Sequence, residues 1–335
     1  MFFGPISVSV AEGAILAHAV RQGELVMKKG RVLTAEDCAA LVRVGVSEII
    51  GARVEAGDVP EDEAARRAAS QLAGAGARCD VAATGRVNLF ARAAGILVVD
   101  AVRIDRFNAV DEALTCATLP HLKPVEAGEM IGTVKIIPFA VPESLLLRAM
   151  EAAGEDAIAV KPFLAKRIAV ISTLLPGLKP SIVTKTVQVL EKRLAKAGAV
   201  IVADVQCAHD ERVLRDALQA VMSHDPELVI VFGASAITDR RDVIPAALEA
   251  EGGQIVQFGM PVDPGNLLLV GKLRGIDILG APGCARSPAE NGFDWVLDRL
   301  LADVPVTAQD IRRMGVGGLL MEIVQRGHPR VGGEA

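Results

Sequence analysis

The order of apolar and polar positions divides the chain into two styles. From Lys166 onward, aliphatic runs alternate with amphipathic stretches in a regular series. "KRIAVIST" reads as a buried strand, "SIVTKTVQVLEKRLAKAG" as a helix and "AVIVADV" as the next strand. "DERVLRDALQAVMSH", "PELVIVFGAS" and "RDVIPAALEAEGG" continue as helix, strand and helix. Two or three more strands are predicted in "GQIVQFGMPVDPGNLLLVGKLRGIDILGAPG", and a last helix in "ENGFDWVLDRLLADV". Strands buried on both faces need no polar alternation, so this pattern predicts a mostly parallel sheet covered by helices. Ligands of such sheets sit beyond the carboxyl ends of the strands.

The first half is less regular. "TAEDCAALVRVG" predicts a helix capped by Thr34 and stopped at Gly45, with "VSEIIGARV" as a strand after it. "DVPEDEAARRAASQLAG" has Pro60 near its start, acids in its first turn and Gly74 at its end, which predicts an amphipathic helix. "AGILVVDAVRI" and "GEMIGTVKIIPFAV" read as buried strands, and "TGRVNLFARAAG" as the entry to a short helix. A helix ending at Gly154 and a polar connector, within "MEAAGEDAIAVKPFLAKR", mark the break. The prediction is therefore an α/β protein. Residues 165–335 form a C-terminal three-layer αβα domain, preceded by a mixed α+β N-terminal region over residues 1–160, with room there for two small subdomains.

Composition supports this and removes several functions. Half of the 335 residues are apolar, Tyr is absent and aromatics are 3%, so Val, Ala, Leu and Ile must build the cores. A net charge of -5 with no basic tract argues against a nucleic-acid partner. No window of about eighteen apolar residues is present, and the N-terminus lacks the pattern of a secretory signal, so no membrane partner is expected. Five scattered cysteines without a Cys-x-x-Cys pair suit a reducing, cytoplasmic setting. The five histidines are isolated; His209 stands out only for its place beside Asp210.

The chemistry concentrates at predicted strand ends. In "VFGASAITDRRDVIPAAL" the small residues Gly233, Ala234, Ser235 and Ala236 end a strand, and Asp239 and Asp242 precede a helix. Small residues there let a phosphate or ring approach the backbone, and the N–H groups of the next helix favour an anion. The alternative is an ordinary tight turn with Asp242 as a helix cap. "QCAHDERVL" puts Asp210 and Glu211 at the preceding strand end, where acids also suit a helix start. If the two turns share a crevice, Asp210 and Asp242 form a carboxylate pair fit for a divalent cation. Pro264-Gly265 and Pro282-Gly283 are two further turns at apolar-to-polar boundaries. In the first half, Thr84, Gly85, Arg86 and Asn88, with Lys135 on a later strand, offer either a phosphate site or a capped helix with a solvated Arg.

Taken in order, "CAHDERV", "VFGASAITDRRDVIPAAL", "GMPVDPGN" and "LGAPGCARSP" resemble the MoaB/Mog-type molybdopterin-binding domain over about residues 166 to 303. That family includes molybdopterin adenylyltransferases and molybdopterin molybdotransferases. The segment "GAILAHAVRQGELVMKKGRVLTAEDCAALVRVG" looks like the Lys-Gly, helix and strand segment of molybdotransferases. The whole chain looks like bacterial molybdopterin-binding proteins, without the nucleotidyltransferase domain that continues some of them. The resemblance implies that Gly233–Ala236, Asp239, Pro264, Gly265, Pro282 and Gly283 contact molybdopterin or the molybdenum cofactor. It gives Asp210 and Asp242 catalytic and metal-binding roles. Adenylyl transfer would add Mg²⁺ and ATP, and delivery would add a molybdoenzyme client; family analogy also implies a homo-oligomer.

Departures from the family pattern fall mainly among the nucleotide-handling groups. Ala234 replaces a second Gly, Asn266 a common Lys, Cys284-Ala285 an Asn-Pro, and Leu174-Leu175-Pro176 a Gly-Asp-Glu. They put adenylyl transfer in question and keep a non-catalytic cofactor carrier beside the transferase. A nucleotide pyrophosphatase on the same fold is the third alternative.

Overall fold

The computed structural model describes residues 1–320; residues 321–335, the tail of the predicted C-terminal domain, lie outside the described residues. Contacts divide the chain into two compact units, Met1–Lys161 and Pro162–Ala335.

The first unit holds two apolar cores. One is built from residues between Ile6 and Ile49 and the other from residues between Val59 and Val160. Strand Glu48–Arg53 pairs antiparallel with Phe2–Ser7 and with Ile15–Leu16. Helix Ala35–Arg43 starts at a capping box in which Thr34 and Asp37 satisfy each other's backbone N–H groups. In the larger core, helix Glu61–Leu72 buries Ala64, Ala65, Ala68, Ala69 and Leu72, a 3.6-residue stripe. It lies against a four-stranded antiparallel sheet ordered Leu114–Thr118, Met130–Ile136, Arg86–Ala91, Ala77–Cys79.

Three segments of this unit differ from expectation. "TGRVNLFARAAG" forms no helix: Arg86–Ala91 is a strand with alternating burial. Thr84 and Gly85 both take positive φ, 52° and 69°, so they make a two-residue hairpin turn that feeds a strand. "AGILVVDAVRI" is a strand only as far as Val99; Asp100 then caps helix Ala101–Asn108 by accepting from Arg103 N. "GEMIGTVKIIPFAV" breaks after Ile136 into two strands that belong to different sheets. In the first two cases apolar content was legible, but local turn and cap residues chose the geometry.

In the second unit the elements are β1 (Arg167–Leu174), α1 (Pro180–Ala195), β2 (Val200–Ala208), α2 (Glu211–Met222), β3 (Leu228–Phe232) and α3 (Val243–Ala250). They continue as β4 (Gln254–Phe258), β5 (Leu269–Leu273), β6 (Ile276–Ala281), α4 (Gly292–Leu301) and α5 (Ala308–Arg312). The six strands form one sheet in the order β2-β1-β3-β6-β5-β4. The pairs from β2 to β6 are parallel and the two involving β5 are antiparallel. Successive strand residues point to opposite faces, and the chain uses both. Ile168 and Val170 join the core containing Leu190 of α1 and Phe293, Val296 and Leu297 of α4. Ala169 and Ile171 join the core containing Leu214 and Leu218 of α2 and Ile244 and Leu248 of α3. The connection from β1 runs to one neighbour, β2, while β3 lies on its other side. Carboxyl ends of β1 and β3 therefore flank the point where strand order reverses, and the loops leaving them diverge to opposite faces. No helix among the described residues is long and apolar enough to cross a membrane.

Candidate functional site

At this reversal, three loops are joined through side chains. Thr173, the penultimate residue of β1, is buried and accepts a hydrogen bond from Ala234 N at 2.8 Å. Its hydroxyl also meets His209 Nδ1 at 2.8 Å, and His209 Nε2 meets Ser235 Oγ at 3.2 Å. Either imidazole tautomer satisfies this chain. With the proton on Nδ1, His209 donates to Thr173 and accepts from Ser235; with it on Nε2, both directions reverse. The turn after β1's neighbour β2 is thus tied to β1 itself and to the loop after β3. Ser235 and Ala236 are exposed, and among the described residues no protein group accepts from their backbone N–H groups.

Arg286 closes the other side. It follows Pro282 and Gly283 in the loop after β6, and its guanidinium donates to Gly233 O at 2.7 Å and to Thr186 Oγ1 at 3.0 Å. Thr186 in turn donates to Ile182 O, one turn back in α1, so its lone pairs are the part offered to Arg286. The guanidinium lies 5.6 Å from the centroid of the buried Phe232 ring. No carboxylate pairs with it among the described residues, and burial pushes its pKa down. Arginine keeps its charge regardless, so this is a partly desolvated cation with donors to spare. The loop is held from below by Arg193, which donates to Ala285 O and Ser287 O at 2.8 Å and pairs with Asp294 at the start of α4.

The predicted glycines divide by role. A Cβ on Gly233 would come within 2.7 Å of Ser235 O, so the fold of the loop itself demands glycine there. Gly265 follows the cis Asp263–Pro264 peptide at φ 143°, and a Cβ there would lie 2.8 Å from Gly292 Cα. Gly292 N donates to Pro264 O at 2.8 Å. Pro264 and Gly265 thus seat the first residue of α4 against their loop. A Cβ on Gly283 would meet nothing within 4 Å, so open space lies on that side of it.

The acids are engaged locally. Asp210 Oδ1 accepts from Arg212 N and Val213 N as the cap of α2. Asp242 caps α3 through Oδ1 to Val243 N, and its Oδ2 accepts from Thr238 N. Asp239 is held by the backbone and guanidinium of Arg241, which lower its pKa to about 2. Among the described residues no group of three or more His, Cys, Asp or Glu side chains is placed to hold a metal ion. Ser172, buried beside Thr173 but on the opposite strand face, has an Oγ with no hydrogen-bond partner among them.

Comparison with known proteins reaches only part of the chain. Residues 5–53 match a family described as a domain of unknown function (DUF8806). No curated protein matches. Among solved structures, the chain is similar to a molybdopterin biosynthesis MoeA protein from Pyrococcus horikosii at 16% identity, over 73% of this chain and 80% of that one, with a TM-score of 0.32. It is also similar to NadC from Streptococcus pyogenes at 16% identity, over 50% and 62% of the two chains, with a TM-score of 0.16. Neither superposition is close enough to define this fold.

Two contributors escaped the sequence reading. Arg286 stands in the quoted "LGAPGCARSP", yet nothing local separates it from the other arginines. Its meaning comes from Phe232 and Thr186, 54 and 100 positions away in the chain. Thr173 reads as one more residue of a buried strand; only the parallel register of β1 with β3 brings its hydroxyl under Ala234. His209 did carry a signal, its place beside Asp210 at a strand end.

Proposed function

We propose that the second unit binds molybdopterin or the molybdenum cofactor at the carboxyl ends of β1, β2, β3 and β6, and that the protein acts in maturation or delivery of that cofactor. The observation that carries this reading is the donor set around the strand reversal. Backbone N–H groups of Ser235 and Ala236, the Ser235–His209 pair and the unpaired Arg286 suit a terminal phosphate. The pterin is inferred from the order of motifs along the chain; the geometry supports an anionic end. Bound molybdopterin supplies its dithiolene for the metal. The protein's own groups hold the phosphate and keep the ring near the strand ends.

Carrier is favoured over adenylyltransferase by one observation. Asp210 and Asp242 already accept backbone N–H groups as helix caps, and Asp242 uses both oxygens. A Mg²⁺ bound between them would compete with those caps. A molybdoenzyme client and a homo-oligomer belong to this reading by family analogy. If instead the unit transfers adenylyl groups, the wild-type protein will consume ATP in the presence of Mg²⁺ and molybdopterin, and Asp242→Asn will stop it. Absence of that consumption leaves the carrier.

The binding reading is tested on protein purified from a molybdopterin-producing host, with bound pterin identified by fluorescence after oxidation. Wild-type protein is expected to carry pterin. Ser235→Leu projects a branched side chain from the exposed loop into the site and should lose it. The mutant's stability should fall by less than core overpacking, about 1–3 kcal/mol. Equal pterin content in the two proteins would make this stretch a plain turn and remove the site.

A further inference from the structure

A second concave site lies wholly within the first unit. A cavity of about 680 Å³ opens there, of the size that encloses small ligands. Besides the Met1 amino group, which is neutralised by Glu55 and Asp58, its wall carries three cationic side chains, Lys29, Arg86 and Lys135, against one carboxylate, Glu61. Only Lys135 is paired: its Nζ sits 3.4 Å from Glu61 Oε2 and also donates to Thr84 O. Arg86 reaches Thr133 Oγ1 at 3.2 Å and meets no carboxylate among the described residues. Lys29 is exposed, has no acidic partner among them, and lies 5.9 Å from the centroid of the Phe139 ring. In a chain of net charge -5, two cations without an acidic partner among the described residues, Lys29 and Arg86, line the same concavity as the paired Lys135.

The geometry of the turn keeps them converging. A Cβ on Gly85 would fall 2.3 Å from Glu61 Oε2 and 2.8 Å from Lys135 Nζ, so glycine lets the turn backbone close over that pair. Gly85 N donates to Asp62 Oδ1 at 2.6 Å, and Ile136 N donates to Gly85 O at 2.8 Å, which anchors the turn to a helix and a strand. The rest of the wall is mainly apolar, with His18 and Thr84 as its other polar side chains. Ile137, 59% exposed, and Phe139 come from the break between two strands, where Ile137 N donates to Ala113 O and Phe139 O accepts from Glu61 N.

We propose that this cavity binds a phosphorylated small molecule with a planar ring. Its phosphate would meet Lys29, Arg86 and Lys135, and its ring would lie against Phe139 and Ile137. A doubly charged phosphate matches several converging cations better than a single carboxylate does. The site is separate from the strand-end site of the second unit and stands without the cofactor reading.

The test uses the full chain, titrated calorimetrically with ADP and with inorganic phosphate as probes. ADP should bind, weaken as salt is raised, and be displaced by inorganic phosphate. Lys29→Gln and Arg86→Gln, both at exposed positions, should each weaken ADP by about tenfold with unchanged melting temperature. Ile137→Asn, which removes apolar surface without adding charge, should weaken ADP while leaving inorganic phosphate in place, which separates the ring wall from the phosphate end. No ADP binding to the wild-type chain overturns the proposal. So does binding that survives Lys29→Gln and Arg86→Gln but is lost in Arg286→Gln, since the ligand would then sit in the second unit.

Discussion

Phe232→Ala is expected to destabilise the second unit by about 3–5 kcal/mol, the range for removing a fully buried aromatic ring. Phe232 is 1% exposed, ends β3, and its ring centroid lies 6.4 Å from that of Phe293, itself fully buried. Removing the ring leaves a cavity between the sheet and α4 that the neighbouring strands cannot fill. The effect should reach the candidate site as well, because Arg286 rests near that ring and hydrogen-bonds the next residue, Gly233. The chain has a single tryptophan, Trp295, which lies in α4 and packs against the same core. Its fluorescence during denaturant unfolding therefore reports this unit. Phe232→Leu should lose less, about 1.5 kcal/mol or below if the neighbours repack. A loss under about 1 kcal/mol for Phe232→Ala would contradict the packing described here.

Arg286→Gln should separate binding from folding. The guanidinium is partly buried without a carboxylate, so neutralising it removes a desolvation penalty while giving up two hydrogen bonds. Stability should change little in either direction. Affinity for molybdopterin should fall by about 10- to 100-fold, the value of a charge-assisted hydrogen bond to a phosphate. Arg286→Lys should recover only part of that, since an ammonium keeps charge but not the planar fork that holds Gly233 O and Thr186 together. Melting temperature and pterin affinity, measured on the same three proteins, decide the matter. An Arg286→Gln variant that unfolds readily yet binds normally would make Arg286 a structural brace.

Much of the second unit was written in the sequence. Aliphatic runs alternating with helical patterns predicted each strand and helix from Arg167 to Ala250, and two or three strands where three follow, because burial on both faces and one-sided burial leave different periodicities. The first unit was harder to read, since its elements are short and turn residues govern them. Thr84 and Gly85 set a hairpin through positive φ, and Asp100 diverts a strand into a helix, each a local choice outweighing the apolar pattern around it. At the candidate site the sequence supplied the loops: Gly233 to Ala236, the helix-capping acids Asp210 and Asp242, and the turns at Pro264 and Pro282. Tertiary structure alone decided which of them meet. Parallel pairing of β1 with β3 sets Thr173 beneath Ala234 and links it through His209 to Ser235. Packing of the loop after β6 over Phe232 turns Arg286 toward Gly233. Periodicity is a property of neighbours along the chain, whereas a site is made by residues that only the register of the sheet and the packing of side chains bring together.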